Sequence, residues 1–282
     1  MMLSARIALA CVIAVTTACA PRKPELAASK CISGPGSGVA CPITPDARVV
    51  FSDAIQNTLT AGERRAGWRL LFDGSTFNGW RGLGYDSVPR AHWKIANGAI
   101  RKIADGDVPR LPDGQPAAGG DLMTVDTFRD FELSFDWKIS RAGNSGVKYN
   151  VSEELSMANA PNHAALGFEY QVLDDNLHED NKIPSHRAGA LYDLIAPNAT
   201  KRLMPVGEWN LSKIVFRGNH GEHWLNGTKV VDYELGTPLM DSLLAASKYH
   251  SIPNFAQRRA GHIVLQDHVD EVFFRNIKIH VL

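Results

Sequence analysis

The stretch Phe131 to Ile139, FELSFDWKI, sets the reading of the whole chain. Phe131, Leu133, Phe135, Trp137 and Ile139 alternate strictly with Glu132, Ser134, Asp136 and Lys138. A period of two puts the apolar set on one face of a strand and the polar set on the other, as a half-buried strand requires. Working outward, two Asn-Gly pairs carry hairpin chemistry, because both residues of such a turn must accept positive φ. Asn97-Gly98 separates HWKIA from AIRKI, and Asn226-Gly227 separates EHWL from TKVVDYEL. Further strands are predicted at 146–152, 167–173, 213–218, 262–267 and 273–281. Long amphipathic patterns are absent after residue 66. Many short strands without helices indicate an all-β sandwich or jelly roll.

The 282 residues contain 30 Lys plus Arg and 30 Asp plus Glu, so the net charge is zero. That balance implies no large basic face and argues against nucleic acid as a partner. At the N-terminus, Arg6 is followed by an apolar run from Ile7 to Val15 and then by Thr16-Thr17-Ala18-Cys19. The run is too short to span a bilayer as a helix. Residues 1–19 read as a signal peptide of lipoprotein type, with Cys19 the lipidated residue; a secretory signal cleaved near Ala18 or Ala20 is the other reading. Both readings export the protein to the periplasm or outer envelope, and the first adds a lipid anchor as its sole membrane contact. Residues 20–66 form a tether rich in Pro and Gly. Within 47–65 a short helix is expected, capped by Asp53 and stopped at Ala61-Gly62. Cys31 and Cys41 could close a small loop in an oxidising compartment. No cysteine follows Cys41, which excludes thiolate chemistry from residues 67–282.

Across residues 67–282 a series of ordered segments carries a resemblance. It begins with WRLLFDGSTFNGW (68–80) and runs through GGDLMT (119–124), FELSFDWKIS (131–140) and GNSGVKYNV (143–151). FEYQVLDD (168–175), AGALYDLIAP (188–197), GEWN (207–210) and GNHGEHWLNG (218–227) follow, and GHIVLQDH (261–268) and FRNIKI (274–279) close it. In these segments the chain resembles the 3-keto-disaccharide hydrolase family. The resemblance implies a concanavalin A-like jelly-roll β-sandwich. It also implies action on 3-keto-glycosides by elimination and hydration, and an upstream glycoside 3-dehydrogenase that supplies the oxidised sugar.

The residues themselves offer matching chemistry. In GFEYQVL, Glu169 and Gln171 share one strand face while Phe168, Tyr170 and Val172 share the other. The polar pair is either the floor of a groove or a solvated outer face. Asp174, Asp175 and His178 follow closely and could rim the same cleft. Retaining glycosidases need two carboxylates about 5 Å apart. Gln171 stands where a second carboxylate would fall, which disfavours that mechanism unless another strand supplies the carboxylate. A 3-keto sugar needs instead a base for the C2 proton, a stabiliser of the enolate oxygen and an acid for the leaving group. Candidates for these catalytic roles are Glu169, His268, His223 and Lys148, each with a structural alternative. Candidates for sugar binding are Gln171, Asp175, His178, Tyr192, Asn144, Trp224, Gln266 and Asp267, and Asp193 adjoins Tyr192. Lys148 could equally be a surface charge, Asn144 a turn residue, and Tyr192 or Trp224 core aromatics. A divalent metal is possible, held by His178, His223, His268 and nearby carboxylates, although no tight ligand motif is present.

Two other functions fit the same text. One is a lectin-like carbohydrate-binding lipoprotein, because the fold hosts lectins as well as enzymes. The other is a structural protein of the envelope, suggested by Cys19 and the long spacer.

Overall fold

In the computed structural model, which describes residues 56–112, 118–158 and 164–282, the strand expected at 131–139 forms with those bounds. The signal segment, Cys19, Cys31, Cys41, Asp53 and the tether up to residue 55 lie outside the described residues. In chain order the strands are β1 (Arg69–Leu70), β2 (Trp80–Gly82), β3 (Trp93–Ala96), β4 (Ala99–Lys102), β5 (Leu122–Thr124), β6 (Phe131–Ile139) and β7 (Asn144–Val151). They continue with β8 (Phe168–Leu173), β9 (Asn210–Arg217), β10 (His220–Leu225), β11 (Thr228–Glu234), β12 (His262–Leu265) and β13 (Val272–Val281). Three short helices accompany them: α1 (Ala61–Arg65), α2 (Glu153–Ala158) and α3 (Pro238–Ala246).

The strands form two antiparallel sheets. The larger has the order β11-β10-β9-β6-β13-β4-β3, with β1 also paired to β13; the smaller has the order β2-β5-β12-β7-β8. This is the jelly-roll sandwich expected from the strand pattern. Both Asn-Gly pairs make hairpins, β3–β4 and β10–β11, with positive φ at Asn97, Gly98, Asn226 and Gly227. The expected helix before the domain differs from its prediction. Ala61-Gly62 opens α1 rather than ending a helix, because Thr60 accepts from the Glu63 amide while the Glu63 carboxylate accepts from the Thr60 amide. That reciprocal capping box satisfies two amides at the first turn.

β6 runs through the centre of the larger sheet and turns its apolar face into the space between the sheets. Phe135 meets Tyr170 of β8 edge to face at 5.4 Å, and Phe131 meets Tyr149 of β7 at 6.3 Å. Burial of these rings supplies the main stabilisation. The core also holds a polar chain. His223 is fully buried, with Nδ1 3.1 Å from the Gly189 carbonyl and Nε2 3.0 Å from the Tyr149 hydroxyl. A carbonyl only accepts, so Nδ1 carries the proton and Nε2 accepts from Tyr149. The Tyr149 oxygen in turn meets the Tyr233 hydroxyl at 2.7 Å.

His223 was a catalytic candidate, and the fold places it inside the sandwich instead. Alternation along β10 turns it inward, where it bonds the Tyr149 hydroxyl and the Gly189 carbonyl. Burial pushes its pKa down to about 4, so it is held neutral in the folded protein. The unfolded chain takes up this proton below about pH 6.5, whereas the native state does not until about pH 4. Stability is therefore complete above pH 6.5 and declines as pH falls from 6.5 towards 4. The expected loss from this group is on the order of 3 kcal/mol. Chemical denaturation across that range, compared with a His223→Gln variant, should show a shallower decline in the variant.

Candidate active site

The outer face of the smaller sheet carries the site. β7 and β8 are fully buried on both faces, which is unusual for a polar strand surface and shows that this face is covered rather than solvated. Phe168, Tyr170 and Val172 of β8 face the core, so Glu169 and Gln171 face outward. Register pairs Glu169 with Lys148, Lys148 with Val264, and Gln171 with Gly146. The Lys148 ammonium lies 3.7 Å from the Glu169 carboxylate, and both side chains are at least nine-tenths buried. Lys148 also donates to the Ala165 carbonyl at 3.1 Å. Gln171 donates through Nε2 to Asn144 Oδ1 at 3.2 Å. Gln266 follows β12 on the side of Val264, its amide bonded to the Gly146 carbonyl.

Gly146 is required by this arrangement. A Cβ at that position would strike the Glu169 Oε1 atom. The missing side chain is therefore the space into which the carboxylate turns. A second device lies four residues on, at Asn150. Between β7 and β12 the register slips, because Val151 pairs with His262 and Lys148 with Val264. Asn150 takes up the extra residue with φ of 54°. Such a bulge shifts the alternation by one and re-aims the strand. It lets Tyr149 face the core while Lys148 and Val151 both face outward.

The floor contains polar atoms that no protein group satisfies. Gln171 Oε1, Gln266 Oε1 and both amide atoms of Asn150 are buried without a hydrogen-bond partner. Buried polar atoms are normally paired, so these mark positions that a polar ligand would complete.

One wall is the segment from Ala188 to Ile195, which covers the exposed edge of β8. The Gly189 amide donates to the Gln171 carbonyl and the Tyr192 amide to the Glu169 carbonyl. This bonding sets Tyr192 beside Glu169. The Tyr192 ring stacks on His186 at 4.3 Å, and its hydroxyl donates to Asp180 at 3.2 Å. Burial and the nearby carboxylates raise the Tyr192 phenol well above the ordinary tyrosine range, so it stays protonated. At the rim, the rings of His178 and His268 meet edge to face at 6.3 Å.

Residues 67–280 match the family described as the 3-keto-alpha-glucoside-1,2-lyase-like domain. A 3-keto-disaccharide hydrolase of Bacteroides thetaiotaomicron is 37% identical over 234 residues, covering 77% of this chain and 79% of that protein. The chain belongs to the 3-keto-alpha-glucoside-1,2-lyase-like family. It is an enzyme of the hydrolase class acting on carbohydrate. The crystal structure of a candidate glycosyl hydrolase from Parabacteroides distasonis superposes with a TM-score of 0.69 at 30% identity, covering 81% of this chain and all of that one. A second such structure from the same organism gives 0.56 at 26% identity, covering 76% and 99%.

On this lyase-like fold, Glu169, Lys148, Gln171, Asn144, Gln266 and Tyr192 gather on one face, with His178 and His268 at its rim. Four other candidates lie elsewhere. His223 is in the core, as described. Trp224 sits on the outer face of the larger sheet, where its indole donates to Glu222 and Lys213 lies 4.7 Å over its ring. Asp267 alternates away from Gln266 and pairs with the fully buried Lys102 at 2.8 Å. Asp175 pairs with Lys201 and accepts from the Ala188 amide, so it fastens the wall from behind.

The expected metal set of His178, His223 and His268 does not assemble, because His223 points into the core. Among the described residues, His92, Asp105 and Asp267 could approach one ion, but Lys102 already lies 2.8 Å from both carboxylates. No motif or alternation in the sequence singles out His186, Asp180 or Lys248. They come from loops without periodicity, and only the fold brings them together around Tyr192.

The Gly146 geometry generates a test. Gly146→Ala should cost on the order of 1–3 kcal/mol by overpacking. The cost should shrink in a Glu169→Ala background, where the clashing carboxylate is gone. Unfolding free energies of the two single variants and the double variant measure that coupling.

Proposed function

We propose that this enzyme cleaves 3-keto-glycosides, including 3-keto-disaccharides, by removing the C2 proton and expelling the group at C1. The buried Glu169 carboxylate, turned into the space above Gly146 and paired with Lys148, carries this reading. Glu169 is the base. A carbonyl at C3 makes the C2 proton acidic, so one well-placed carboxylate suffices where an ordinary glycosidase needs two. The absence of a second carboxylate at Gln171 fits that requirement. The Lys148 ammonium is already held by Glu169 and the Ala165 carbonyl. Its role is to hold the base in place.

The bond changes are balanced. The C2–H bond breaks and its proton passes to Glu169, while the electron pair forms C2=C3 and the carbonyl electrons move to the C3 oxygen. Their return re-forms the ketone, makes C1=C2 and breaks the bond from C1 to the aglycone oxygen. That oxygen takes a proton, for which the protonated Tyr192 phenol and the His178–His268 pair are the nearby donors. Addition of water at C1, with a proton at C2, gives 3-keto-glucose from a glucoside. Elimination alone is a lyase reaction and both steps together are a net hydrolysis, which accounts for the two names borne by the family and its relative.

Gln171, Asn144 and Gln266 present amide groups to the sugar hydroxyls. A glycoside 3-dehydrogenase upstream would supply the substrate. Export and lipidation at Cys19 would place this enzyme in the cell envelope.

The test is turnover of a panel of 3-keto-glucosides, 3-keto-trehalose and 3-keto-sucrose, followed by NMR with and without EDTA. A 2-hydroxyglucal-type enone or 3-keto-glucose is the expected product. Glu169→Gln should reduce turnover by about 100- to 10,000-fold while leaving the fold intact. Saturable sugar binding without turnover in the wild type would replace this reading with a lectin-like one.

A further inference from the structure

Elimination through an enolate leaves one requirement unmet by Glu169 and Lys148. Negative charge grows on the C3 oxygen, and a donor or cation must face it. Lys148 is spent on Glu169 and the Ala165 carbonyl. Another cation stands at the same groove. Lys248 begins a single helical turn, Lys248–Ser251, after α3. Its ammonium lies 4.0 Å from the Tyr192 ring centre and 5.2 Å from that of Tyr249. Among the described residues it forms no ion pair, in contrast to Lys148. Burial lowers its pKa, and the charges of Glu169, Lys148, Asp193 and Asp180 also act on it. As a whole residue Lys248 is exposed to solvent.

The placement of this lysine is built into the wall. Asp193 accepts the Lys248 backbone amide at 2.7 Å through one oxygen and meets His186 Nε2 at 3.0 Å through the other. Asp193 holds φ at 60°, a left-handed conformation that a non-glycine residue adopts at a cost. His186 is buried and stacks on Tyr192. His186, Asp193, Tyr192 and the Lys248 backbone are thus one connected unit, and its outward product is an uncommitted ammonium over an aromatic ring beside the base.

We propose that Lys248 is a catalytic residue of this enzyme, the cation that stabilises the enolate oxygen at C3, and that Asp193 and His186 are its positioning residues. The assignment rests on the elimination reading above. In the step, the C2–H electrons enter C2=C3, the carbonyl pair moves to oxygen, and the Lys248 N–H donates a hydrogen bond to that oxyanion without transferring its proton. Collapse of the oxyanion returns the pair and releases the C1 oxygen. Dense surroundings that lower the lysine pKa strengthen it as a hydrogen-bond donor. A neutral ketone gains less from the ammonium than the enolate does, so the contribution appears in turnover more than in substrate binding.

The experiment compares wild type with Lys248→Met and Lys248→Arg on 3-keto-glucosides, with Trp224→Ala as a control far from the groove. Lys248→Met should lower kcat by about 100- to 1,000-fold with KM changed only a few-fold, Lys248→Arg should retain part of the lost rate, and added methylamine or ethylamine should restore part of the Lys248→Met rate. Thermal unfolding of each variant monitors the fold. Wild type inactive on the whole panel would sink the elimination reading itself. Active wild type with Lys248→Met within a few-fold of it would overturn the Lys248 assignment alone. A rise in KM with kcat unchanged would also overturn it, because the lysine would then only bind substrate.

Discussion

Glu169 and Lys148 are cross-strand neighbours taken almost completely out of water, and the local structure is arranged around that fact. Removing a carboxylate and an ammonium from water costs several kcal/mol per ion. Their mutual attraction offsets this only when geometry and additional hydrogen bonds are good. The Ala165 carbonyl, the glycine at 146 and the register of β7 against β8 meet those conditions. A hydrophobic pair would suit a sandwich surface at least as well. An ion pair kept here is better understood as a tool of chemistry than as a source of stability.

The same strand pair has a second duty. On its inner face, Tyr149 and Tyr170 pack against Phe131 and Phe135, so the outer site stands on the rigid centre of the sandwich. The bulge at Asn150 reconciles the two duties, because it shifts the alternation where the inner and outer patterns would otherwise conflict. A loop pinned to the edge of β8 then adds Tyr192, Asp193 and His186, and the turn after α3 adds Lys248. Glu169 and Lys148 lie on strands, whereas Asp193, His186 and Lys248 lie on loops and single helical turns. Such a division would suit the proposed elimination, with the carboxylate held still on the rigid sheet and the loop groups able to adapt.

His223 and Asp267 show why residue type alone misleads. His223 has the chemistry of a general acid, yet alternation along β10 turns it inward to hold the Tyr149 hydroxyl and the Gly189 carbonyl. Asp267 adjoins Gln266, and one step along an extended chain sends it to the opposite side, where Lys102 waits. Period-two geometry separates sequence neighbours as firmly as it gathers residues from distant strands.

By itself the sequence determined the all-β class, the main strands, both Asn-Gly hairpins and the shared face of Glu169 and Gln171. These follow from local rules, namely alternation and the positive φ that a tight turn demands. Family resemblance added the class of substrate. Tertiary structure alone decided that the Glu169 face is covered rather than solvated, that Lys148 is the partner of Glu169, and that His223 belongs to the core. It alone brought Lys248, His186 and Asp180 together around Tyr192. Burial and cross-strand partnership depend on how two sheets and their loops meet in space, and no periodicity within one segment encodes that meeting.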